Sequence, residues 1–376
     1  MLNSIRLGRV FGIDIRLHYS WLLIAFLIVF SLRAQFQEMS SEWGVGTVWL
    51  SALLTGALFF AAVVAHELAH SLVAKSKGIG VKSITLFALG GVAQIEKDAP
   101  DAKTEFWIAI VGPLTSLLIG FLFLAATVAT GSSPGEPPKS PLSAILIWLG
   151  YINIALGVFN LIPGFPMDGG RVLRAIIWWA TGSGKRATHV AARVGQFFAV
   201  AFIVFGIYRF FSGGGVGALW MSFIGWFLLD AAGASDRQSH IAEHLRGLRV
   251  ADVMMRDVPT IDSRTNLQAF TEDFLFRTGR RCFVVVDNGV IEGLITPNEV
   301  KHIREAQRPF TLVGDVMLTF DKLRTIAPES PVIDALEVMT RDDLNQLPVI
   351  SRGALQGFIS RADLLGLLRN RTELSA

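Results

Sequence analysis

Long apolar runs dominate the first two thirds of the chain, and polar residues dominate the remainder. Six of these runs approach the roughly 20 helical residues that cross a bilayer. They lie at 19–33, 48–76, 106–130, 142–160, 194–211 and 216–233. A Gly/Pro-rich break follows the fourth run and leads into the apolar stretch VLRAIIWWA. The pattern therefore predicts six transmembrane helices, with a helix break after the fourth.

A tandem repeat fills the polar region. VADVMMRDVPTIDS at 250–263 is echoed at 313–330, and RCFVVVDNGVIEGLITPNEV at 281–300 is echoed at 344–365. Each copy has the pattern of helix, strand, turn, strand and helix, with DNG and RGAL at the predicted hairpin turns. The predicted fold class is a multi-pass α-helical membrane protein, with about six transmembrane helices, followed by a soluble α+β domain.

Composition and charge fit this division. Hydrophobic residues make up 52% of the 376 residues, and charged residues make up 17%. The formal net charge is only +3 and no basic run marks a nucleic-acid-binding surface, so nucleic acid is not an expected partner. The single cysteine, Cys282, excludes an internal disulfide framework and is interpreted as a buried thiol in a strand. No small-x-small cleavage site follows the first run, so we expect it to be retained as a span.

Basic residues orient the spans. The segments 75–105 and 171–193 carry ten lysines and arginines, whereas the loops 34–47 and 129–141 carry only Lys139. Because cytoplasmic loops are enriched in basic residues, both termini are predicted to be cytoplasmic, and six spans require that parity. If the chain is bacterial, it is expected in the inner cell membrane.

HELAH, in the second run, places His66 and His70 one helical turn apart, with Glu67 beside the first histidine. Two imidazoles at i and i+4 can bind one zinc ion, and the adjacent carboxylate can act as a general base. Ionisable residues at membrane depth are costly and indicate a functional site. The alternative is a helix on which the two histidines and the glutamate pair with one another.

A catalytic zinc ion needs a third protein ligand. Asp168 is the candidate, because it lies in PGFPMDGGR, and a broken backbone at membrane depth lines a cavity or is buried in protein. The alternative is an ion pair between Asp168 and Arg171 at the membrane surface. Four further acids fall in a polar loop and are interpreted as solvated side chains: Glu96, Asp98, Asp101 and Glu105.

The pairing of HELAH with NLIPGFPMDGGR resembles the site-2 protease family of intramembrane zinc metalloproteases, over roughly residues 1–233. The resemblance implies one zinc ion per chain, held by His66, His70 and Asp168, with Glu67 as the catalytic base. It also implies substrate contacts at Asn160, Gly90 and Gly91, and the transmembrane helix of another protein as the substrate. For the two glycines, backbone packing alone is an equal alternative. GPLTS, at 112–116, resembles the family's close-packed third-span segment, and FALGGVAQIE, at 87–96, resembles its re-entrant β-like loop that meets substrate.

The tandem repeat resembles a pair of CBS domains, over about 249–370, through DVM in each copy and the paired GLITPNE and GFISRAD. The resemblance implies an adenine nucleotide between the repeats. Thr296 and Ser360 would bind phosphate, and Glu299 and Asp363 would bind ribose hydroxyls. Glu299 departs from the usual aspartate. A module that only dimerises is an equal alternative, since fold does not fix function.

The predicted organisation is an intramembrane zinc protease domain at 1–233, a linker at 234–248, and CBS repeats at 249–306 and 307–370. The expected function is regulated intramembrane proteolysis, in which transmembrane segments of membrane proteins are cleaved and the CBS pair responds to an adenine nucleotide. The expected partners are the lipid bilayer, the membrane protein substrate and a second copy bound through the CBS domains. The alternative function is a CBS-regulated metal or ion transporter that uses the intramembrane histidines as its transport site.

Overall fold

The computed structural model describes residues 4–39, 42–88, 90–95, 98–245, 247–288, 290–319, 323–342, 344–351 and 354–367, without the side chains of 235–244. Two compact units make up the chain, Met1–Ser239 and His240–Ala376. The first holds the apolar runs and the second holds the tandem repeat. Glu96, and the end of the second repeat at 368–370, lie outside the described residues.

In the described part of the chain, seven α-helices begin in the first unit. They are α1 (Ser20–Met39), α2 (Val45–Ser76), α3 (Ala102–Ala129), α4 (Pro141–Asn160), α5 (Asp168–Thr181), α6 (Gly184–Arg209) and α7 (Leu219–His244). Six helical segments in the described part of the chain are long and apolar enough to cross a membrane, which confirms the predicted fold class. The fifth segment begins at Gly184, ten residues before the predicted start, because scattered basic residues lower the hydropathy of its first turns without breaking the helix.

A four-stranded sheet packs against the spans. It consists of β1 (Ser4–Val10), β2 (Ile13–His18), β3 (Val81–Phe87) and β4 (Gly90–Ile95), in that order, and only the β2–β3 pair is parallel. Ile13, Ile15 and Ile84 point to one face, where they pack in a core that includes Ala74 of α2 and Ile108 of α3. Of these strands, the sequence predicted only a β-like loop at 87–96, which the structure shows as the turn and second strand of the β3–β4 hairpin. The alternation of IRLGRV at 5–10 is the strand signal that the adjacent apolar run obscures.

Helices α3 and α4 approach closely through glycine. A Cβ at Gly120 would lie 2.9 Å from both Gly150 O and Ile154 N, and a Cβ at Gly157 would lie 3.0 Å from Pro113 O. Small residues at such contacts let backbones meet where lipid provides no hydrophobic force between helices. The same approach brings the end of α4 next to the region of α3 that carries GPLTS.

The second unit contains α8 (Val250–Val253), β5 (Thr260–Asp262), α9 (Leu267–Ala269), β6 (Phe283–Asp287), β7 (Val290–Ile295), α10 (Pro297–Val300), α11 (Val313–Val316), β8 (Leu318–Thr319), α12 (Val332–Arg341), β9 (Gln346–Ser351) and β10 (Ala354–Ser360). Strands β5–β8 form one sheet in chain order, and β9 pairs with β10. The two predicted hairpins, β6–β7 and β9–β10, are both present and antiparallel.

The two sequence repeats exchange their first helices. Val250, which opens the first copy, is buried in the core of the second with Val332 and Leu347. Val313, which opens the second copy, is buried in the core of the first with Phe283. Neither copy therefore completes its own core.

The single cysteine is buried, as the sequence predicted. Cys282 lies immediately before β6, and desolvation raises the pKa of its thiol to about 12. A thiol with so high a pKa is unreactive at neutral pH.

Between the start of its long helix and its hairpin, the first copy is one residue longer than the second. Sixteen positions lead from buried Leu267 to buried Phe283, whereas fifteen lead from Val332 to Leu347. The helix after α9 accommodates the extra residue in a π-helical segment, Phe270–Phe276, while α12 is a regular α-helix. A π turn closes i to i+5 hydrogen bonds in place of the i to i+4 bonds of an α-helix, so each turn takes up one more residue.

Replacing Gly120 with leucine should weaken the interface between α3 and α4. The added side chain would meet backbone atoms of α4, and overpacking of this kind costs about 1–3 kcal/mol. Thermal unfolding of the detergent-solubilised protein should therefore begin several degrees lower. The matched control is Gly46→Leu in the first turn of α2, where a Cβ meets no heavy atom within 4 Å. Equal unfolding temperatures for the two variants would contradict this account.

Candidate metal centre

The histidines of HELAH point into the protein. Both imidazoles are buried on one face of α2, with 4% of each residue exposed. Their Nε2 atoms lie 3.2 Å apart, as the i, i+4 spacing on a helix allows. The sequence alternative of a glutamate paired with both histidines is not what the structure shows, because a different carboxylate meets them.

Asp168 supplies the third donor atom, a carboxylate oxygen. Its Oδ2 atom lies 3.1 Å from His66 Nε2 and 3.1 Å from His70 Nε2. The residue begins α5, directly after the predicted break. Here glycines allow the backbone to fold on itself, since a Cβ at Gly169 would overlap the carbonyl of Leu161 and one at Gly164 would overlap the backbone of Gly195.

The other nitrogen of each imidazole is held by α3. His70 Nδ1 lies 2.5 Å from Ile108 O and His66 Nδ1 lies 2.8 Å from Ser116 Oγ. A carbonyl can only accept, so His70 carries its proton on Nδ1 and presents a lone pair at Nε2. Partners of this kind, on the nitrogen away from the metal, orient the histidine ligands of metal sites.

A glycine on α3 makes room for the imidazoles. Ile108, Gly112 and Ser116 recur every four residues and therefore share one face of α3. A Cβ at Gly112 would overlap His70 Nε2 and would lie 2.8 Å from His66 Nε2. This contact gives a physical reason for the glycine in GPLTS.

The three groups together fit a divalent cation. The Nε2 atoms and the carboxylate oxygen converge within 4.8 Å of one another. Lone pairs converging at this depth need a proton or a cation between them, because lipid supplies no partner. Two histidines and one carboxylate form one of the ligand sets of catalytic zinc, which leaves a fourth position open.

Glu67 follows His66 on α2 and lies against β4. Its side chain is half-buried, and a Cβ at Gly91 would meet Glu67 Cγ at 2.5 Å and Oε1 at 3.1 Å. Gly91 is therefore needed for the close approach of β4 to this carboxylate. Gly90 has φ +138° and open space around its Cα, so its backbone conformation requires glycine whereas its packing does not.

Asn160 ends α4. Its Nδ2 donates to Leu156 O at 3.0 Å within the same helix. In the described part of the chain, no hydrogen bond joins it to the cluster of His66, His70 and Asp168, so its contact with substrate stays a prediction.

Glu105 was interpreted wrongly as a solvated side chain. It lies in the first turn of α3, and only 3% of it is exposed. Its Oε1 accepts from Arg171 Nε at 3.1 Å and lies 3.2 Å from an Nη atom of Arg174. Arg171 therefore pairs with Glu105, and the alternative pairing of Arg171 with Asp168 is not observed. The hydropathy pattern missed this because it placed residue 105 in a loop.

Its neighbours in the sequence behave differently. Asp101 is the N-cap of α3, where hydrogen bonds from the backbone and side chain of Thr104 lower the pKa of its carboxyl group. Asp98 is exposed, as expected.

The residues expected to bind nucleotide occupy two helix starts in the second unit. Thr296 caps α10, and its N–H and Oγ1 both donate to Glu299 Oε2, at 2.8 and 2.6 Å. Ser360 Oγ donates to Asp363 Oδ2 at 2.5 Å and accepts from the N–H of Asp363. Both pairs therefore cap the start of a helix. Glu299 accepts two of these hydrogen bonds, whereas Asp363 accepts one.

Two family models match the chain. The model described as Peptidase family M50 matches residues 55–137 and 129–202, and the CBS domain model matches 250–305 and 313–370. The chain is 36% identical to sll0528 of Synechocystis sp. (strain ATCC 27184 / PCC 6803 / Kazusa), which is named as a zinc metalloprotease; the match covers 98% of this chain and 96% of that protein.

A further relative and a solved structure come from Methanocaldococcus jannaschii. Zinc metalloprotease MJ0392 of Methanocaldococcus jannaschii is 30% identical, over 97% of this chain and 96% of that protein. The solved structure of the site-2 protease from Methanocaldococcus jannaschii is 31% identical, covers 62% of this chain and 95% of its own, and has a TM-score of 0.42.

The fold and the site define a membrane-embedded zinc metalloprotease with an appended CBS pair. The chain belongs to peptidase family M50, the site-2 protease family. The resemblance seen in the sequence and the expected enzyme class are both confirmed.

Replacing Glu105 with glutamine should loosen α5 and weaken metal retention at Asp168. The change leaves two guanidinium groups near a neutral amide, and breaking a buried ion pair costs about 3–5 kcal/mol. The arginines keep some exposure, 27% and 20% of their side chains, so we expect the lower end of that range. Thermal unfolding and zinc content of the purified protein measure the effect. The control is Glu136→Gln in the loop between α3 and α4, and equal behaviour of the two variants would refute the positioning role.

Proposed function

We propose that this protein cleaves transmembrane segments of other membrane proteins, with one zinc ion bound by His66, His70 and Asp168 and with Glu67 as the base. The observation that carries the proposal is the convergence of three lone pairs, 3.1–3.2 Å apart, at membrane depth beside a fourth ionisable group. Each histidine is already oriented through its second nitrogen, so the cluster is preorganised for a metal.

The chemistry assigns separate tasks to the side chains. A bound zinc ion supplies polarisation of the scissile carbonyl and a lowered pKa for water. The Glu67 carboxylate accepts a proton from the attacking water and then donates it to the amide nitrogen of the leaving strand. Ile108 O and Ser116 Oγ hold the imidazoles in place throughout.

The substrate must unwind before it is cut, because the carbonyls of a transmembrane helix are occupied by i to i−4 hydrogen bonds. Among the described strands β4 is the last of its sheet, and Gly91 brings it against Glu67. An extended substrate segment can add to such an edge through backbone hydrogen bonds. We assign Gly90 and Gly91 to this backbone contact with substrate. We also assign the side-chain Oδ1 of Asn160 as the acceptor of a hydrogen bond from a substrate N–H.

The basic residues of the loops support a topology with both termini in the cytoplasm and, in a bacterium, residence in the inner cell membrane. The proposed domains keep the boundaries expected from the sequence: protease at 1–233, linker at 234–248 and CBS repeats at 249–306 and 307–370.

The CBS pair is proposed to regulate cleavage by binding an adenine nucleotide, and to associate with a second copy. The Ser360–Asp363 pair is the better site. Asp363 Oδ2 accepts one side-chain hydrogen bond, whereas Glu299 Oε2 is bound by both the N–H and the hydroxyl of Thr296. Glu299 therefore has less capacity left for a ribose.

Replacing Glu67 with glutamine should abolish cleavage and leave the zinc content at one ion per chain. Glutamine cannot accept the proton, so the substitution removes general-base catalysis, which contributes roughly 10²–10⁴-fold to the rate. Zinc is measured on the purified protein, and cleavage is measured on single-span membrane proteins in proteoliposomes. His70→Ala and Asp168→Asn serve as matched variants that should lose the metal as well as the activity.

The same experiment separates the protease from the transporter alternative. Loss of zinc in Glu67→Gln, or movement of metal across the proteoliposome membrane without cleavage by the wild type, would contradict the proposed roles.

Replacing Asp363 with alanine should weaken AMP binding to the full-length protein roughly tenfold or more, because a hydrogen bond to a charged group contributes about 1.5–3 kcal/mol. Glu299→Ala should bind AMP nearly as well as the wild type. Calorimetric titration of the detergent-solubilised protein tests both. If the wild type binds no AMP and still dimerises, the CBS pair is an association module only.

A further inference from the structure

The hairpin of β1 and β2 gathers three arginines on one face, which we call the arginine face. Arg6 lies directly opposite Arg16, and Arg9 lies opposite Asp14. Cross-strand partners share a face, as do Asp14 and Arg16, which are two positions apart. Arg6 and Arg9 are three positions apart and would normally point to opposite faces. A bulge between Arg6 and Gly8 shifts the register and puts them on the same side.

The arginine face lacks sufficient negative charge. Asp14 is the carboxylate shared by all three, with Arg6 at 2.9 Å, Arg16 at 3.7 Å and Arg9 at 3.8 Å. Like charges placed directly opposite each other destabilise a sheet, as Arg6 and Arg16 must here. In addition, Arg16 Nε is buried and has no hydrogen-bond partner among the described atoms. Two positive charges in excess and an unsatisfied donor call for a further anion.

The fold places this face at the boundary of the membrane. The strand β2 ends at His18, and the membrane-crossing helix α1 starts at Ser20. At the other end of the hairpin, Lys75 Nζ, in the last turn of the membrane-crossing helix α2, donates to Phe11 O at 2.8 Å. The hairpin is therefore attached to one end of each of two neighbouring spans.

Exposed apolar side chains accompany the arginines. Ile5, Leu7 and Phe11 are 68%, 61% and 69% exposed, all within seven residues of the chain. Apolar groups combined with basic residues at the end of a span are typical of elements that lie in the headgroup region of a bilayer. Arginine matches phosphate especially well, because its planar donors can bind two oxygens at once.

We propose that the arginine face binds the phosphate groups of anionic phospholipids in the leaflet around this end of α1 and α2. Arg6, Arg9 and Arg16 contact the headgroups, and Ile5, Leu7 and Phe11 enter the adjacent acyl region. The site is separate from the zinc ligands and does not depend on the proteolytic function.

A solvatochromic dye on Phe11→Cys in the full-length protein reports lipid at the hairpin. Cys282 is buried and its thiol is protonated, so it does not compete for the label. Short-chain phosphatidylglycerol, short-chain phosphatidylcholine and inorganic phosphate are titrated separately into the detergent-solubilised protein. We expect a saturable blue shift with phosphatidylglycerol and at least tenfold weaker binding of the other two.

Removing the arginines tests the assignment. Each basic residue near an anionic lipid surface should change affinity roughly fivefold, so Arg9→Gln should raise the Kd for phosphatidylglycerol by about that factor. Arg9 has the longest of the three ion pairs and is 63% exposed, so its loss should not unfold the hairpin. The triple variant at Arg6, Arg9 and Arg16 should raise the Kd far more.

The matched control removes the same charge from the second unit, in a triple glutamine variant at Arg277, Arg280 and Arg281, and should leave the Kd unchanged. A dye at Phe276→Cys, on an exposed side chain of that unit, should show no blue shift. Three outcomes would overturn the proposal: equal binding of the two lipids, a blue shift produced by inorganic phosphate at the same concentrations, or an Arg9→Gln protein with the wild-type Kd.

Discussion

Polar groups at membrane depth must find their partners within the protein, because the hydrocarbon core offers none. Helix α5 meets this requirement twice in its first two turns. Asp168 faces the two histidines of α2, and Arg171, three residues on, pairs with Glu105 of α3. The two contacts fix the start of α5 between two spans. The position of Asp168 therefore depends on an ion pair that contributes no atom to the candidate metal centre.

Short polar partners require close backbones, and glycine provides them. Gly112 lets α3 approach the imidazoles, Gly91 lets β4 lie on Glu67, and Gly169 lets the chain fold back before α5. A methyl group at any of these positions would overlap or crowd a functional side chain or a carbonyl. Gly112 in GPLTS, Gly91 in FALGGVAQIE and Gly169 in PMDGGR are thus explained by distance rather than by flexibility, whereas Gly90 is explained by its backbone conformation.

Features that depend on residues close together in the chain could be predicted from the sequence. HELAH specifies its own geometry through helical spacing, and a carboxylate inside a glycine-rich break is conspicuous in an apolar region. The partners of these residues were not predictable in the same way. Glu105 meets Arg171 across 66 positions, and Val250 completes the core of the other repeat, so no local pattern reports either contact. Hydropathy also hid β1 and β2, since their alternation is short and adjoins a longer apolar run.

If the proposed function holds, the requirement for polar partners also bears on how an unwound substrate binds. A helix that unwinds in the bilayer exposes N–H and C=O groups that cost several kcal/mol each, in rough terms, when left unpaired. The outer edge of β4 also has unpaired N–H and C=O groups beside Glu67, because β4 is the last described strand of its sheet. Pairing the two satisfies both sets of groups at once. On the proposed function, the edge strand lowers the cost of unwinding where Glu67 can act on the exposed carbonyl, so binding and unwinding are one process.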